Sequence, residues 1–292
     1  MDRKEIVKKY REMVNRLESL PNSGLVIKWW KDRGVDILSY LELQYIRNNN
    51  VLSDDILDPQ PDKELRIRLN GFEYLVPMKD ISHMGDGNKE PWLIKELSNL
   101  KENDIFFDVG ANLGQFTVPF AKHAKVYAFE PAKNTYPYLE KNIHINNVAR
   151  NVTIIKAIVS DHVGNTEFYQ SDESNIFSGI LNPEEYNSEW KSVRRDIIPT
   201  VTVDSIVDEY GISKIDWMKV DVEGAEALVI KGSAGCLERK LVKNILIEMH
   251  PISIKGTRHQ DIYDMLEKNY NLTVLWRSDT LTSFHYLKAS AK

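Results

Sequence analysis

Cysteine is nearly absent: Cys236 is the one thiol in 292 residues. An intramolecular disulfide is therefore excluded, as is a zinc site of the multi-cysteine type, and Cys236 reads as a small buried helix residue. Long apolar runs are missing as well. None approaches the ~20 residues needed to cross a bilayer, so no membrane span is expected. The opening segment MDRKEIVKKYREMV mixes charged and apolar residues without the continuous apolar stretch of a signal peptide, and the expected location is cytoplasmic. Positive charge is not in excess either. Thirty-eight basic against forty-three acidic side chains leave a net charge of −5, whereas proteins that grip nucleic acid concentrate positive charge. The densest basic patch in the middle of the chain, KSVRR at 191–195, is short, lacks interleaved aromatics and reads as a solvated loop face. No nucleic-acid partner is expected. What remains, 42% apolar and 28% charged residues, suits a globular chain, and the length suits one large α/β domain with an N-terminal addition.

Residues 2–20 place Ile6, Tyr10, Met13, Leu17 and Leu20 at alternating steps of four and three, the stripe of an amphipathic helix. A second helical stretch over about 25–48 is rich in Trp, Tyr and Leu. ELRIRLNGFEYLVPM alternates apolar and polar residues around Asn70-Gly71, which predicts a β-hairpin with a two-residue turn. The irregular stretch 79–91 is the expected boundary between an N-terminal part, 1–90, and a main domain, 91–292. From Asp104 onward the segments 105–110, 125–130, 152–157, 215–221 and 242–250 are apolar enough to be buried on both faces, as central parallel strands are. Helices are expected at 92–100, 113–123, 134–146, 224–240 and 258–268. That alternation predicts a doubly wound α/β sheet, with LTVLWRS and SFHYLKA pairing antiparallel at its end. Residues 171–198 break the rhythm and read as a long loop, either an acceptor-covering element or a surface excursion.

Asp108-Val-Gly-Ala-Asn-Leu-Gly114 follows a strand and opens a helix, where glycines let a ligand approach backbone N–H groups. The dinucleotide fingerprint G-x-G-x-x-G fails, because Asn112 stands two after Gly110; the Lys-Ser/Thr of a P-loop is missing too. Asp108 would repel a pyrophosphate but suits an ammonium, reached directly or through water. Glu130, twenty residues past Gly110 at the end of the second strand, is placed to accept hydrogen bonds from both hydroxyls of a ribose; the plainer reading is a helix-capping acid. An adenosyl group with a methionine tail meets both requirements.

DVGANLGQFT, FEPAKNTYPYLEKNIHINN, VTIIKAIVSDHVGNTEF, TVDSI, WMKVDVEGAEALVIKG and ILIEMH resemble, in order, the motifs of FkbM-type methyltransferases. The likeness covers about 105–250, and the pairing of DVGAN with KVDVEGAE is its specific part. It implies a Rossmann-like class I methyltransferase fold, with a seven-stranded, mostly parallel sheet whose last strand is antiparallel. It also implies S-adenosyl-L-methionine as cofactor and O-methylation of a sugar, glycan or other small natural product. Alanine and lysine at 132–133 stand where such proteins often carry a second proline. The expected cofactor-binding set is Asp108, Gly110, Ala111, Asn112, Gly114, Thr117, Glu130, Pro131 and Ala157, the last near adenine.

Asp221 and Glu223 follow the fourth strand, at the switch point where open α/β sheets bind ligands. Enzymes that methylate planar amino groups commonly carry an Asn/Asp-Pro-Pro-aromatic segment there; two carboxylates and Gly224 favour an oxygen acceptor. Removal of its proton needs a base, with Asp221 first and His250 second as candidates. Glu223 is a substrate-side residue or a cap for the following helix. Asp221, Glu223, Glu248 and His250 could collect a divalent metal, which is possible but not expected. Alternative readings are a tRNA or other nucleic-acid methyltransferase, an NAD-dependent enzyme, and a non-catalytic Rossmann-like interaction module. A homodimer is possible.

Overall fold

In the computed structural model, residues 64–77, 80, 91–171, 178–181, 193–251, 257–278 and 285–292 are described. The helices expected at 2–20 and 25–48, and nearly all of the irregular stretch 79–91, lie outside them. The chain divides into two compact units, Met1–Lys89 and Glu90–Lys292.

In the first unit, β1 (Glu64–Leu69) and β2 (Phe72–Pro77) form the expected antiparallel hairpin, paired from Glu64↔Pro77 to Leu69↔Phe72. Its turn needs two residues at positive φ, and Asn70 (49°) and Gly71 (85°) supply them. Glu73 pairs with Arg66 and Arg68 across the ladder.

The second unit begins with α1 (Pro91–Leu97) and alternates β3 (Ile105–Val109), α2 (Thr117–Phe120), β4 (Lys125–Phe129), α3 (Tyr136–Ile145) and β5 (Val152–Ile155). After a smaller sheet come α4 (Val203–Glu209), β10 (Ile215–Val220), α5 (Glu226–Lys231), α6 (Ala234–Glu238), β11 (Val242–Met249), α7 (His259–Leu266), β12 (Tyr270–Arg277) and β13 (His285–Ala291). The main sheet runs β12-β13-β11-β10-β3-β4-β5. The five adjacent strands β11-β10-β3-β4-β5 pair in parallel, and β13 pairs antiparallel with both β11 and β12. This is the expected seven-stranded class I methyltransferase arrangement. Every residue of β10 is buried, as a strand covered on both faces must be. Phe107 packs on Tyr127 and Phe129 at centroid distances of 5.1 and 5.3 Å.

Three expectations are corrected. Residues 171–198 are not one long loop: β9 (Val193–Val201) pairs along β7 (Gly164–Ser171), and β8 (Ser178–Gly179) and β6 (Ile158–Val159) complete a four-stranded sheet ordered β6-β9-β7-β8. Arg194 and Arg195 of the basic patch are therefore strand residues. Pro199 disguised this strand, since proline cannot donate to a ladder. It is tolerated because β6 pairs only with Thr200 and Val201, beyond it. The helix expected over 224–240 is broken at Gly232 and Ser233, where an added Cβ on Gly232 would lie 1.9 Å from the Ser160 carbonyl oxygen. The backbones touch there, and the helix restarts at Ala234. Within the stretch 113–123, only Thr117–Phe120 is α-helical. Cys236 lies buried in α6, as expected.

Candidate active site

The order of the sheet reverses between β3 and β10, so the loops after these strands part above the sheet and leave a crevice. Asp221 N donates to the Val109 carbonyl at 3.1 Å, while Gly110 N and Ala111 N donate to the Phe129 carbonyl at 3.1 and 2.9 Å. Gly110 (φ 82°) lies so close to Asp221 that an added Cβ would meet its carbonyl oxygen at 1.9 Å. Gly114 (φ 90°) is pressed against Leu139 of α3, and Asn142 of α3 donates to the Leu113 carbonyl at 2.9 Å.

Glu130 closes β4 and is buried. One carboxylate oxygen accepts from Asn112 N and the other from Ala132 N, both at 2.8 Å. Burial pushes its pKa up to about 7 against those two donors, with the charge of Asp108 adding to the rise. Each oxygen retains a further lone pair. Asn112 (φ 50°) holds its Oδ1 buried with no hydrogen-bond partner among the described residues.

Asp108 is fully buried. Thr117 Oγ1 donates to it at 2.6 Å, and Lys219 Nζ lies 3.7 Å away. Lys219, itself buried, also reaches Asp221 Oδ2 at 3.2 Å and the Gly110 carbonyl at 3.4 Å, over the ring of Phe116. Burial raises the Asp108 pKa and Lys219 opposes it. The lysine thus ties the two crevice loops together with one charge.

At the other end, His250 stands just past β11, ringed by carboxylates. Its Nδ1 lies 2.8 Å from Glu226 Oε1, and its Nε2 lies 3.5 Å from Glu223, 3.7 Å from Glu248 and 4.0 Å from Asp221. Burial disfavours the charged ring, but the bond to Glu226 and the charges of Glu223, Glu226 and Asp221 outweigh it and lift the pKa to about 10. Glu223 sits at positive φ (52°) before Gly224 (95°). Surrounding protein, with Asp221 and Glu226 as like charges, raises its pKa although His250 opposes this. Neither Glu223 nor any other described side chain caps this helix; Glu226 instead accepts from Gly224 N at 2.9 Å, in the turn before it.

One partly open cavity is lined from both groups of residues. Gly110, Asn112, Glu130, Pro131 and Ala157 line it from the expected cofactor set, and Asp221 and Glu223 from the expected acceptor side. Asp108, Ala111, Gly114, Thr117 and His250 stand outside the lining and support it. Ile158, Phe168 and Ile180 make its apolar wall beside Ala157. Sequence reasoning gave no role to Lys219 or Glu226. A lysine inside a strand apolar enough to be buried on both faces was a signal for the first; an acid in a first helical turn has too many ordinary uses to mark the second.

The family model described as "Methyltransferase FkbM domain" matches residues 108–272, more than half of the chain. Methyltransferase sdnD of Sordaria araneosa is 27% identical over 208 residues, 61% of this chain and 78% of that protein. Hexuronic acid methyltransferase AglP of Haloferax volcanii is 28% identical over 172 residues, 59% of this chain and 65% of that protein. Among solved structures, methyltransferase FkbM from Methylobacillus flagellatus is 14% identical with a TM-score of 0.47, covering 90% of this chain and 58% of that one.

Proposed function

The chain belongs to the FkbM methyltransferase family and is an S-adenosylmethionine-dependent methyltransferase; from that premise we propose that it methylates a hydroxyl of a sugar, glycan or other small natural product, with Asp221 as the base. The observation that carries this reading is that one cavity is lined by Glu130 together with the carboxylates of Asp221 and Glu223. Glu130 would accept the ribose hydroxyls, and the unpartnered Oδ1 of Asn112 offers a further acceptor to the same ligand. Ala157, Ile158 and Phe168 would flank adenine.

When bound, the cofactor supplies a methyl group on a sulfonium. Asp221 and Glu223 set negative charge where hydroxyl donors and a cation are both favoured, and they offer no carbonyl pair for a planar amine. Asp221 would hold the acceptor hydroxyl and take up its proton as the oxygen is methylated. The likeness to a hexuronic acid methyltransferase supports a sugar acceptor. The test is transfer of labelled methyl to a panel of uronic-acid and neutral glycans. Asp221→Asn should lower turnover at least about 100-fold while S-adenosylhomocysteine still binds. Equal turnover by the variant would remove Asp221 as base.

Glu130 gives a pH prediction. Its raised pKa means that in the free protein the carboxyl gains its charge only as pH rises through about 7, whereas ribose hydroxyls bind the charged form better. S-adenosylhomocysteine should therefore bind about tenfold more tightly at pH 8 than at pH 6, with proton release visible as buffer-dependent heat in calorimetry. Glu130→Gln should bind weakly and without that dependence. Identical wild-type affinities at the two pH values would exclude Glu130 from the ribose site.

A divalent metal is not part of this reading. One atom each from Asp221, Glu223 and His250 lie within 4.8 Å of one another, but both ring nitrogens already face carboxylates and Lys219 holds Asp221. Activity is expected to survive dialysis against EDTA, and loss restored by magnesium or manganese would reverse this.

A further inference from the structure

Glu226 is buried beneath the site and does not line the cavity. One of its oxygens takes two partners from different elements: Gly224 N of the turn after β10, at 2.9 Å, and His250 Nδ1 past β11, at 2.8 Å. The turn it holds carries Glu223 and Gly224 at positive φ, a shape that an unsupported loop would not keep. The ring it holds has no freedom left at Nδ1, so Nε2 is aimed at Asp221, Glu223 and Glu248. A second hold comes from α7, where His259 Nε2 donates to the His250 carbonyl at 2.6 Å.

We propose that Glu226 is the positioning residue of this site: it fixes the His250 ring and the Glu223–Gly224 turn together, so that His250 acts as a cationic partner of the surrounding carboxylates and leaves proton removal to Asp221. This rests on the reading of the cavity as a methyl-transfer site. An imidazole with carboxylate oxygens on both nitrogens is favoured with both protons in place. The charged groups facing it from the described residues are Asp221 and Glu223 on the turn, Glu226 on α5 and Glu248 on β11, with Lys219 of β10 behind Asp221. Four acids face the ring, with Lys219 behind one of them and His259 on the backbone carbonyl, and leave the ring as their local counter-ion. Its raised pKa agrees with this. Without the ring's charge, Asp221, Glu223 and Glu248 would face one another around Nε2 with only Lys219 to offset them.

The experiment is a nuclear magnetic resonance titration of the full chain labelled at histidine, run free and with S-adenosylhomocysteine, with His250 identified by the signal lost in His250→Gln. Wild-type His250 should keep both ring protons beyond pH 8, far above the ordinary midpoint of about 6.5. Glu226→Gln preserves shape and the acceptor for Gly224 N, and should lower the His250 midpoint by at least about one pH unit, with affinity for S-adenosylhomocysteine within about threefold of wild type. A purely structural Glu226 would lower the melting temperature and leave that midpoint in place, which overturns the proposal. So does a wild-type midpoint near 6.5, a result that needs no folded variant. Failure of the methyl-transfer reading would show separately, as absence of heat with S-adenosylhomocysteine.

Discussion

Gly110→Ala should unfold or nearly unfold the Glu90–Lys292 unit, lowering its stability by on the order of 4 kcal/mol or more and abolishing S-adenosylhomocysteine binding. Two independent costs combine. The backbone sits at φ 82°, a region an L side chain occupies only under strain. The new Cβ would also lie 1.9 Å from the Asp221 carbonyl oxygen and 3.0 Å from its carbon, so the loops after β3 and β10 would have to separate. Those loops form the crevice, so stability and ligand binding fail together. Gly211 is the control, because its φ is 61° with nothing within 4 Å of an added Cβ; Gly211→Ala should cost about 1 kcal/mol. Urea denaturation of both variants decides the matter, and equal, small losses would mean that the loops can part without penalty.

Lys219→Met should cost about 3 kcal/mol at neutral pH, with a pH signature that separates lost charge from lost packing. Methionine fills similar space over Phe116 but leaves Asp108 and Asp221 facing each other without a cation between them. Asp108 is fully buried and its pKa is already raised; without Lys219 it rises further. The sign follows from a folded pKa above the unfolded one: the variant is relatively best at low pH, where Asp108 is protonated, and loses stability as pH rises through the raised folded-state pKa. The stability difference between wild type and variant should therefore narrow on acidification, read from urea midpoints across pH. A constant difference would assign the loss to packing.

Much of the fold was legible because it rests on local rules. Asn70-Gly71 announced its hairpin through the positive φ values that a two-residue turn demands, and the segments 105–110, 125–130 and 215–221 are apolar enough, despite their few charged residues, to have announced buried parallel strands. Where a segment's structure depends on a partner distant in sequence, the same reasoning failed. The strand Val193–Val201 carries two arginines and a proline and reads as a loop until Gly164–Ser171 lies beside it. The break at Gly232 is set by the Ser160 carbonyl, seventy-odd residues earlier, which no helical periodicity records.

The site divides in the same way. The loop Asp108–Gly114, the acid at Glu130, and the pair Asp221 and Glu223 could be placed from sequence, because strand ends and glycines fix where a doubly wound sheet binds ligands. Sequence alone settled which residue types gather at the crevice and which chemistry they suit. Their charge states and orientations were decided only by the tertiary structure: Asp108 turned inward to Lys219, Glu130 was buried against two N–H donors, and His250 was set among four carboxylates by Glu226. The reason is physical. Secondary structure and turn geometry depend on neighbours along the chain, whereas a pKa, a buried ion pair and the direction of an imidazole depend on groups that folding brings within about 4 Å from anywhere in it.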